Sequence, residues 1–302
     1  MHTTHLLSNC TLCPRKCGVN RLNHQVGYCG MTADLKIARA ALHMWEEPCI
    51  SGTTGSGTVF FGGCNLKCVF CQNHTIALGD CGKTISTHRL AEIFLELQKK
   101  GAANINLVTP THYIPQIRHA LILSKEQGLD IPIVYNTGSY ESVESLHLLD
   151  GLVDIYLPDL KYYSTELSFK YSHASDYFTT ATAAIAEMYR QVGTPVFDEK
   201  TGMMKSGMIV RHLVLPGQTK DSKKVLRYLY ETYNNNIYIS IMNQYTPLPH
   251  VADIAELNRS VTAEEYDRVV NFALRLGIEN AFIQEGETAL ESFSPPFDME
   301  GV

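Results

Sequence analysis

Seven short apolar runs, at residues 58–61, 105–108, 131–135, 153–157, 208–215, 237–241 and 281–284, recur along the chain and read as strands. Between most of them the pattern turns helical. Leu90, Ile93, Phe94 and Leu97 recur at i, i+3, i+4 and i+7, which places them on one helix face. Gly101 stands where that helix should stop, because glycine takes the left-handed backbone that closes a helix. Thr262 and Glu265 make a capping-box pattern ahead of Val269, Val270 and Phe272. The stretch 195–202 reads as the start of a hairpin inserted before the fifth strand. Strands alternating with helices predict an α/β fold with a parallel sheet and right-handed crossovers. Periodicity alone leaves closed and open sheets both available. No Gly-x-Gly-x-x-Gly follows a strand, which argues against a dinucleotide fold. In barrels of this kind chemistry gathers where the strands end. Polar residues and turn formers stand there: Thr109, Pro110, Thr111 and His112; Asn136, Thr137 and Gly138; Asp159, Leu160 and Lys161; Pro216 and Gly217.

Composition narrows the class. The 302 residues suffice for one large α/β barrel or two ordinary domains, and 45% hydrophobic content supports a sizeable core. The net charge of −6 is spread without a basic footprint, so nucleic acid is not an expected partner. No stretch approaches 18 consecutive apolar residues, so no membrane span is expected. The first nine residues lack the apolar core of a signal peptide. Nine cysteines without an export signal point to a reducing compartment, where thiols bind metals rather than form disulfides. The expectation is a cytoplasmic metalloprotein. Three zones follow: a cysteine-rich segment over 1–50, the α/β unit over 51–285, and an extended tail over 286–302 that contains Pro295 and Pro296.

Seven of the nine cysteines fall into two clusters. In the central one, Cys64, Cys68 and Cys71 form C-x3-C-x2-C on a loop directly after the first strand, behind Gly62 and Gly63. Three thiolates on so short a loop can hold three corners of a 4Fe–4S cubane. The iron left without a protein ligand can chelate the amino and carboxylate groups of S-adenosylmethionine (SAM). An electron from the cluster then breaks the bond from sulfur to the 5′ carbon, giving methionine and a 5′-deoxyadenosyl radical. The alternative is zinc on the three cysteines with His74, although structural zinc sites usually show paired ligand spacings.

The triplet, with Phe70 before its third cysteine, resembles the signature of radical SAM enzymes. The ending Cys71, Gln72, Asn73 is similar to that of glycyl-radical-enzyme activating enzymes. Asp159 to Lys161 and Arg211 to Gly217 resemble segments of pyruvate formate-lyase activating enzyme, and the likeness to that branch spans nearly the full chain, including the N-terminal cysteines and Trp45 to Cys49. The resemblance implies a partial (β/α)6 barrel, or one extended by a seventh strand. It also implies SAM contacts from Phe70 (to adenine), Asn73, Thr109, Thr111, Asn136, Thr137, Asp159, Lys161 and Arg211, the last toward the SAM carboxylate or ribose. The usual Gly-Gly-Glu is absent at Thr109 to Thr111, and Asn136 replaces an aspartate that lies near a monovalent cation in the activating enzyme. The implied partners are a glycyl radical enzyme as protein substrate, or a small molecule, and an electron donor such as flavodoxin or ferredoxin. Read as residues alone, Thr109 and Pro110 also make a turn, and Asp159 with Lys161 a surface ion pair. His112 and His212 read as packed or solvated.

The N-terminal cluster has Cys10, Cys13 and Cys17 in C-x2-C-x3-C, followed by Cys29. Four thiolates can close a tetrahedral zinc site or hold an auxiliary iron–sulfur cluster, and spacing does not choose between them. Cys49 and Cys81 have no clear partner and read as buried hydrophobes or idle thiols. Three functions remain: activation of a glycyl radical enzyme, radical chemistry on a small molecule or modified peptide, and a non-catalytic metal module. A mouth left open suits a protein loop; one closed by Pro295 to Phe297 suits a small molecule.

Overall fold

In the computed structural model, which describes residues 4–284 and 295–302, each of the seven apolar runs forms a strand. Ten strands form in all among the described residues: β1 Leu35–His43, β2 Ser56–Phe61, β3 Lys83–Ile85, β4 Ile105–Val108, β5 Ile133–Thr137, β6 Ile155–Pro158, β7 Val196–Phe197, β8 Met204–Leu213, β9 Tyr238–Met242 and β10 Ala281–Ile283. The sheet order is β10-β9-β8-β6-β5-β4-β2-β1-β3, with β7 paired to β8. From β2 to β10 the strands run parallel and stand in chain order. A doubly wound sheet reverses its order partway; the parallel part of this one never does, which is the winding of a barrel. The architecture is therefore α/β with six β/α units and a seventh strand, and β7 with β8 forms the inserted hairpin.

The helices form where amphipathic spacing dictates. Leu90, Ile93, Phe94 and Leu97 are all buried on helix Thr87–Lys99, which Ser86 caps and after which Gly101 turns left-handed (φ +86°). Thr262 and Glu265 close a full capping box on helix Ala263–Leu276. Helices Ile114–Glu126, Tyr177–Val192 and Thr219–Tyr233 follow β4, β6 and β8, and their apolar faces join the sheet's outer face in the main core. Among the described residues no helix is long and apolar enough to cross a membrane.

β1 was not expected from the sequence. It lies within the cysteine-rich 1–50 stretch, and Lys36, Arg39 and a bulge between Ile37 and Arg39 break its alternation. It pairs antiparallel with β2 and β3, so that stretch shares the sheet. The chain then turns inward. Cys49 and Ile50, on the one-turn helix Pro48–Ser51, pack with Val134, Ile155, Leu157, Met204 and Ile209 and form the floor of the barrel. Cys49 is thus a buried hydrophobe, its thiol pushed up to about 12 by burial and then by Glu47. Cys81 is half-buried against Ala38, Phe60, Ile76 and Val108.

Of the tail, residues 286–294 lie outside the described ones. The rest docks on β1: Ala40 N–H donates to Glu300 O (2.8 Å) and Met299 N–H to Ala38 O (3.0 Å). Arg39 donates to Asp298 (2.6 Å) and also pairs with Glu300, and Phe297 meets Phe60 edge-on at 5.4 Å. If the arginine holds this strip, Arg39→Glu should speed hydrogen exchange at the Ala40 and Met299 amides at least tenfold. Unchanged exchange there would contradict the clamp.

Candidate active site

The loop after β2 is held by its backbone before any ligand arrives. Gly62 N–H donates to Lys36 O (2.8 Å) and Gly63 N–H to Ile76 O (2.7 Å). Gly63 has φ +86°, and a Cβ there would lie 2.8 Å from Cys29 O, so glycine is required twice over. The buried His112 Nε2 sits 2.7 Å from Gly62 O; burial, and then nearby Arg21, pull its pKa down to about 3, so the ring is neutral. His212 is likewise buried and lowered, with Nδ1 2.7 Å from Leu160 O. Both histidines are packed.

Cys64, Cys68 and Cys71 face one cavity of about 460 Å³ inside the barrel mouth. Burial pushes the Cys64 and Cys71 thiols up, Cys71 to about 12; neighbouring thiol charge adds to this and Lys161 opposes it. Ser172 Oγ–H donates to Cys68 Sγ (3.0 Å) and Leu66 N–H to Cys64 Sγ (3.4 Å), bonds that suit sulfur carrying negative charge. Three neighbouring thiols, two of them pushed up by burial, fit a cationic group that favours their ionised form. His74, the zinc alternative's fourth donor, instead stacks on His250 at 4.3 Å. Among the described residues no three His, Cys, Asp or Glu side chains converge on one ion. Thiolates that each hold a different iron of a cubane need no such convergence, so the donor set fits the cluster.

Phe70, Asn73, Thr109, Thr111, Asn136, Thr137, Asp159, Lys161 and Arg211 line the same cavity. Thr109 has a positive φ of 58°, costly for a β-branched residue, and its N–H donates to Asn136 O (2.9 Å). Asp159 and Lys161 are an ion pair of the interior, not of the surface: Lys161 Nζ donates to Asp159 Oδ2 (2.5 Å). Arg211 donates through Nε to Asp159 Oδ1 (3.1 Å), through Nη1 to Glu46 Oε2 (3.1 Å) and through Nη2 to Asn136 Oδ1 (2.5 Å). Glu46 Oε1 accepts from Asn106 (2.8 Å) and Asn136 (3.4 Å). Burial alone would raise Asp159, but Lys161 and Arg211 outweigh it and hold the carboxyl below its ordinary value.

Three carboxyls of the site escaped the sequence reading. Glu46 and Glu47 belong to a stretch noted only for its likeness, and no periodicity shows that it turns inward. Glu141 follows Asn136 and Thr137 by a few residues. Its Oε1 accepts from Thr137 (2.5 Å), Thr111 (2.6 Å) and Tyr135 (3.3 Å), so one buried carboxyl aims two of the cavity's hydroxyl residues. The N-terminal cysteines lie elsewhere. Cys10, Cys13 and Cys29 are buried and Cys17 half-buried, outside the cavity. Burial pushes Cys13 up to about 12 and Cys29 up, with charge from Cys10 and Cys17 adding to Cys29. Arg15 Nε donates to Asn65 O (2.9 Å), which attaches this segment to the loop of the triplet.

Burial raises Glu141 to about 6, while the hydroxyls of Thr111, Thr137 and Tyr135 oppose the rise. A carboxyl raised on folding favours the folded state while protonated, and that stabilisation is lost as pH climbs through the folded value. The loss from about pH 4.5 to 7 amounts to about 2 kcal/mol. Glu141→Gln should remove this slope, so wild-type stability minus variant stability, from denaturation at each pH, should fall by about that amount. A difference flat with pH would refute the assignment.

Comparison with known proteins agrees with this geometry. Residues 58–229 match the radical SAM superfamily. A protein of Methanocaldococcus jannaschii described as uncharacterized is 29% identical over 285 residues, which cover 91% of this chain and 77% of that one. The fold is similar to that of SuiB from Streptococcus suis bound to its precursor peptide SuiA, with TM-score 0.51, 12% identity, and 74% of this chain and 47% of that one covered. It is also similar to a radical SAM methyltransferase from Sphaerobacter thermophilus, with TM-score 0.52, 15% identity, and 76% and 66% covered. The chain thus spans about half the length of SuiB and just under two thirds of the methyltransferase, and at these identities the likeness is one of fold. The matched stretch runs from β2 into the helix after β8 and takes in the cysteine triplet and all nine other predicted cavity residues, so this chain belongs to the radical SAM superfamily.

Proposed function

We propose that this protein is a radical SAM enzyme that abstracts a hydrogen atom from a compact substrate held inside the barrel. The observation that carries the reading is the single cavity shared by the cysteine triplet and the polar strand ends. Cys64, Cys68 and Cys71 would hold a 4Fe–4S cluster. When bound, cluster and SAM together supply one-electron cleavage of the sulfur–5′ carbon bond, giving methionine and a 5′-deoxyadenosyl radical. Thr109, Thr111 and Thr137 offer hydroxyls, and Asn136, Asp159, Lys161 and Arg211 offer a fixed set of charges and amides around the bound nucleoside. Phe70, packed edge-on among Tyr162, Tyr171 and Tyr245, gives adenine an immobile ring to lie against. The enclosure of these groups shields a reactive species from water.

Substrate size is read at the mouth. Pro295 lines the cavity, and Phe297 packs on Phe60, itself a lining residue. A tail docked in this way favours a small molecule or a short peptide segment. The other reading, activation of a glycyl radical enzyme, is supported by the ending Cys71, Gln72, Asn73, and requires that Pro295 give way to a partner's glycine loop. Flavodoxin or ferredoxin would be the electron donor in either case. The N-terminal cysteines are proposed to hold a second metal, zinc or iron–sulfur; because no three of them converge on one ion among the described residues, iron–sulfur suits them better than zinc. Supporting this are their burial and the mutual influence of Cys29, Cys10 and Cys17.

Anaerobic, reconstituted protein given SAM and dithionite should form 5′-deoxyadenosine, and Cys68→Ala should lower the rate at least a hundredfold. A full cluster in the wild type with no deoxyadenosine would overturn the enzymatic reading. For the second site, elemental analysis should find metal beyond the four irons of the triplet's cluster. Cys13→Ala together with Cys29→Ala should remove that excess and leave the four irons. Equal metal content in the wild type and the double variant would dismiss the second site.

A further inference from the structure

One carboxyl of the barrel interior lacks the partners that its neighbours have. Arg211 and Lys161 are matched by Asp159 and Glu46. Both Glu46 oxygens and both Asp159 oxygens accept hydrogen bonds from named partners. Glu47, the next residue, also lines the cavity, and its Oε2 is shut off from solvent with no hydrogen-bond partner among the described residues. Enclosing a carboxyl oxygen without a donor is costly, so each such oxygen calls for an explanation. Burial first, and then the adjacent Glu46, raise its pKa, while Arg211 and then a hydrogen bond from Ser240 offset this in part. Trp45, Phe60 and Phe282 line the same cavity, and aromatic ring faces attract a cation.

We propose that Glu47 anchors a cationic amino group of the substrate in the barrel interior, within the cavity that these rings also line. The inference rests on the compact-substrate reading above and names its chemistry. An ammonium supplies a donor for Oε2 together with the positive charge that favours the ionised carboxyl over the protonated form toward which burial pushes it. A neutral alcohol supplies only the donor. A carboxylate meets two glutamates in the lining, and among the described residues the cations that line it, Arg211 and Lys161, are already paired with Asp159 and Glu46.

The test uses full-length reconstituted protein and three probes of one size: n-butylammonium, n-butanol and n-butyrate, titrated by ligand-observed NMR. Butylammonium should bind at least tenfold more tightly than either of the others. Glu47→Gln should abolish that preference, and Glu47→Asp should keep it in weakened form. Circular dichroism identifies a variant that has not folded, and the wild-type ranking with Glu47→Asp still decides the matter. Equal binding of the three probes, tighter binding of butyrate, or a preference that survives in Glu47→Gln would overturn the proposal. Deoxyadenosine formation, measured on the same wild-type samples, separates the two ideas: its absence refutes the enzymatic reading, while the probe ranking still decides for or against the amine anchor.

Discussion

One guanidinium ties the barrel interior together. Arg211, on β8, reaches Asp159 beyond β6, Asn136 in β5 and Glu46 in the segment that leads in from β1. A planar fork carries its donors on three separate nitrogens and so spans three acceptors on different elements, whereas the donors of a lysine all leave from one nitrogen. Buried ion pairs add little net stability, because desolvation cancels most of the attraction. What this one supplies is position: it sets the spacing of the strand ends and draws the segment before Pro48 inward. That segment in turn brings Cys49 and Ile50 to the floor of the barrel.

The cavity wall above this floor is built in two ways. The cysteine loop is fixed through its backbone, by bonds from Gly62 and Gly63 and by the His112 ring against Gly62 O. The opposite wall is fixed through side chains, with Glu141 gathering the hydroxyls of Thr111, Thr137 and Tyr135. Thr109 joins the two arrangements. Its left-handed backbone is a local strain of about 1 kcal/mol or more, of the kind that sites keep when surrounding bonds over-determine a residue. A preorganised wall of this type lets a cofactor bind without reordering the strands.

Much of this was legible in the sequence, for identifiable reasons. Parallel strands buried on both faces leave continuous apolar runs, so all seven were visible, with ends displaced by a few residues in some cases. The cysteine triplet and the polar residues after each strand could be read because barrel topology sends strand ends to one rim. β1 stayed hidden because Lys36, Arg39 and the bulge between Ile37 and Arg39 break its alternation. Glu46, Glu47 and Glu141 stayed hidden for another reason. A carboxyl turned inward looks, in sequence, like any surface carboxyl, and only the arrangement of Arg211, Thr111 and Thr137 in space assigns it a role. The pairing of Asp159 with Lys161 was visible, but its burial was not.

The central claim is that the triplet and the barrel interior are two halves of one SAM site. Electron paramagnetic resonance of the reduced, reconstituted protein tests it most directly, with SAM labelled by 15N at the amino group and 17O in the carboxylate. The account predicts that SAM changes the cluster signal and that both labels couple to it. A reduced cluster whose spectrum is the same with and without SAM, and shows no coupling to either label, would contradict it.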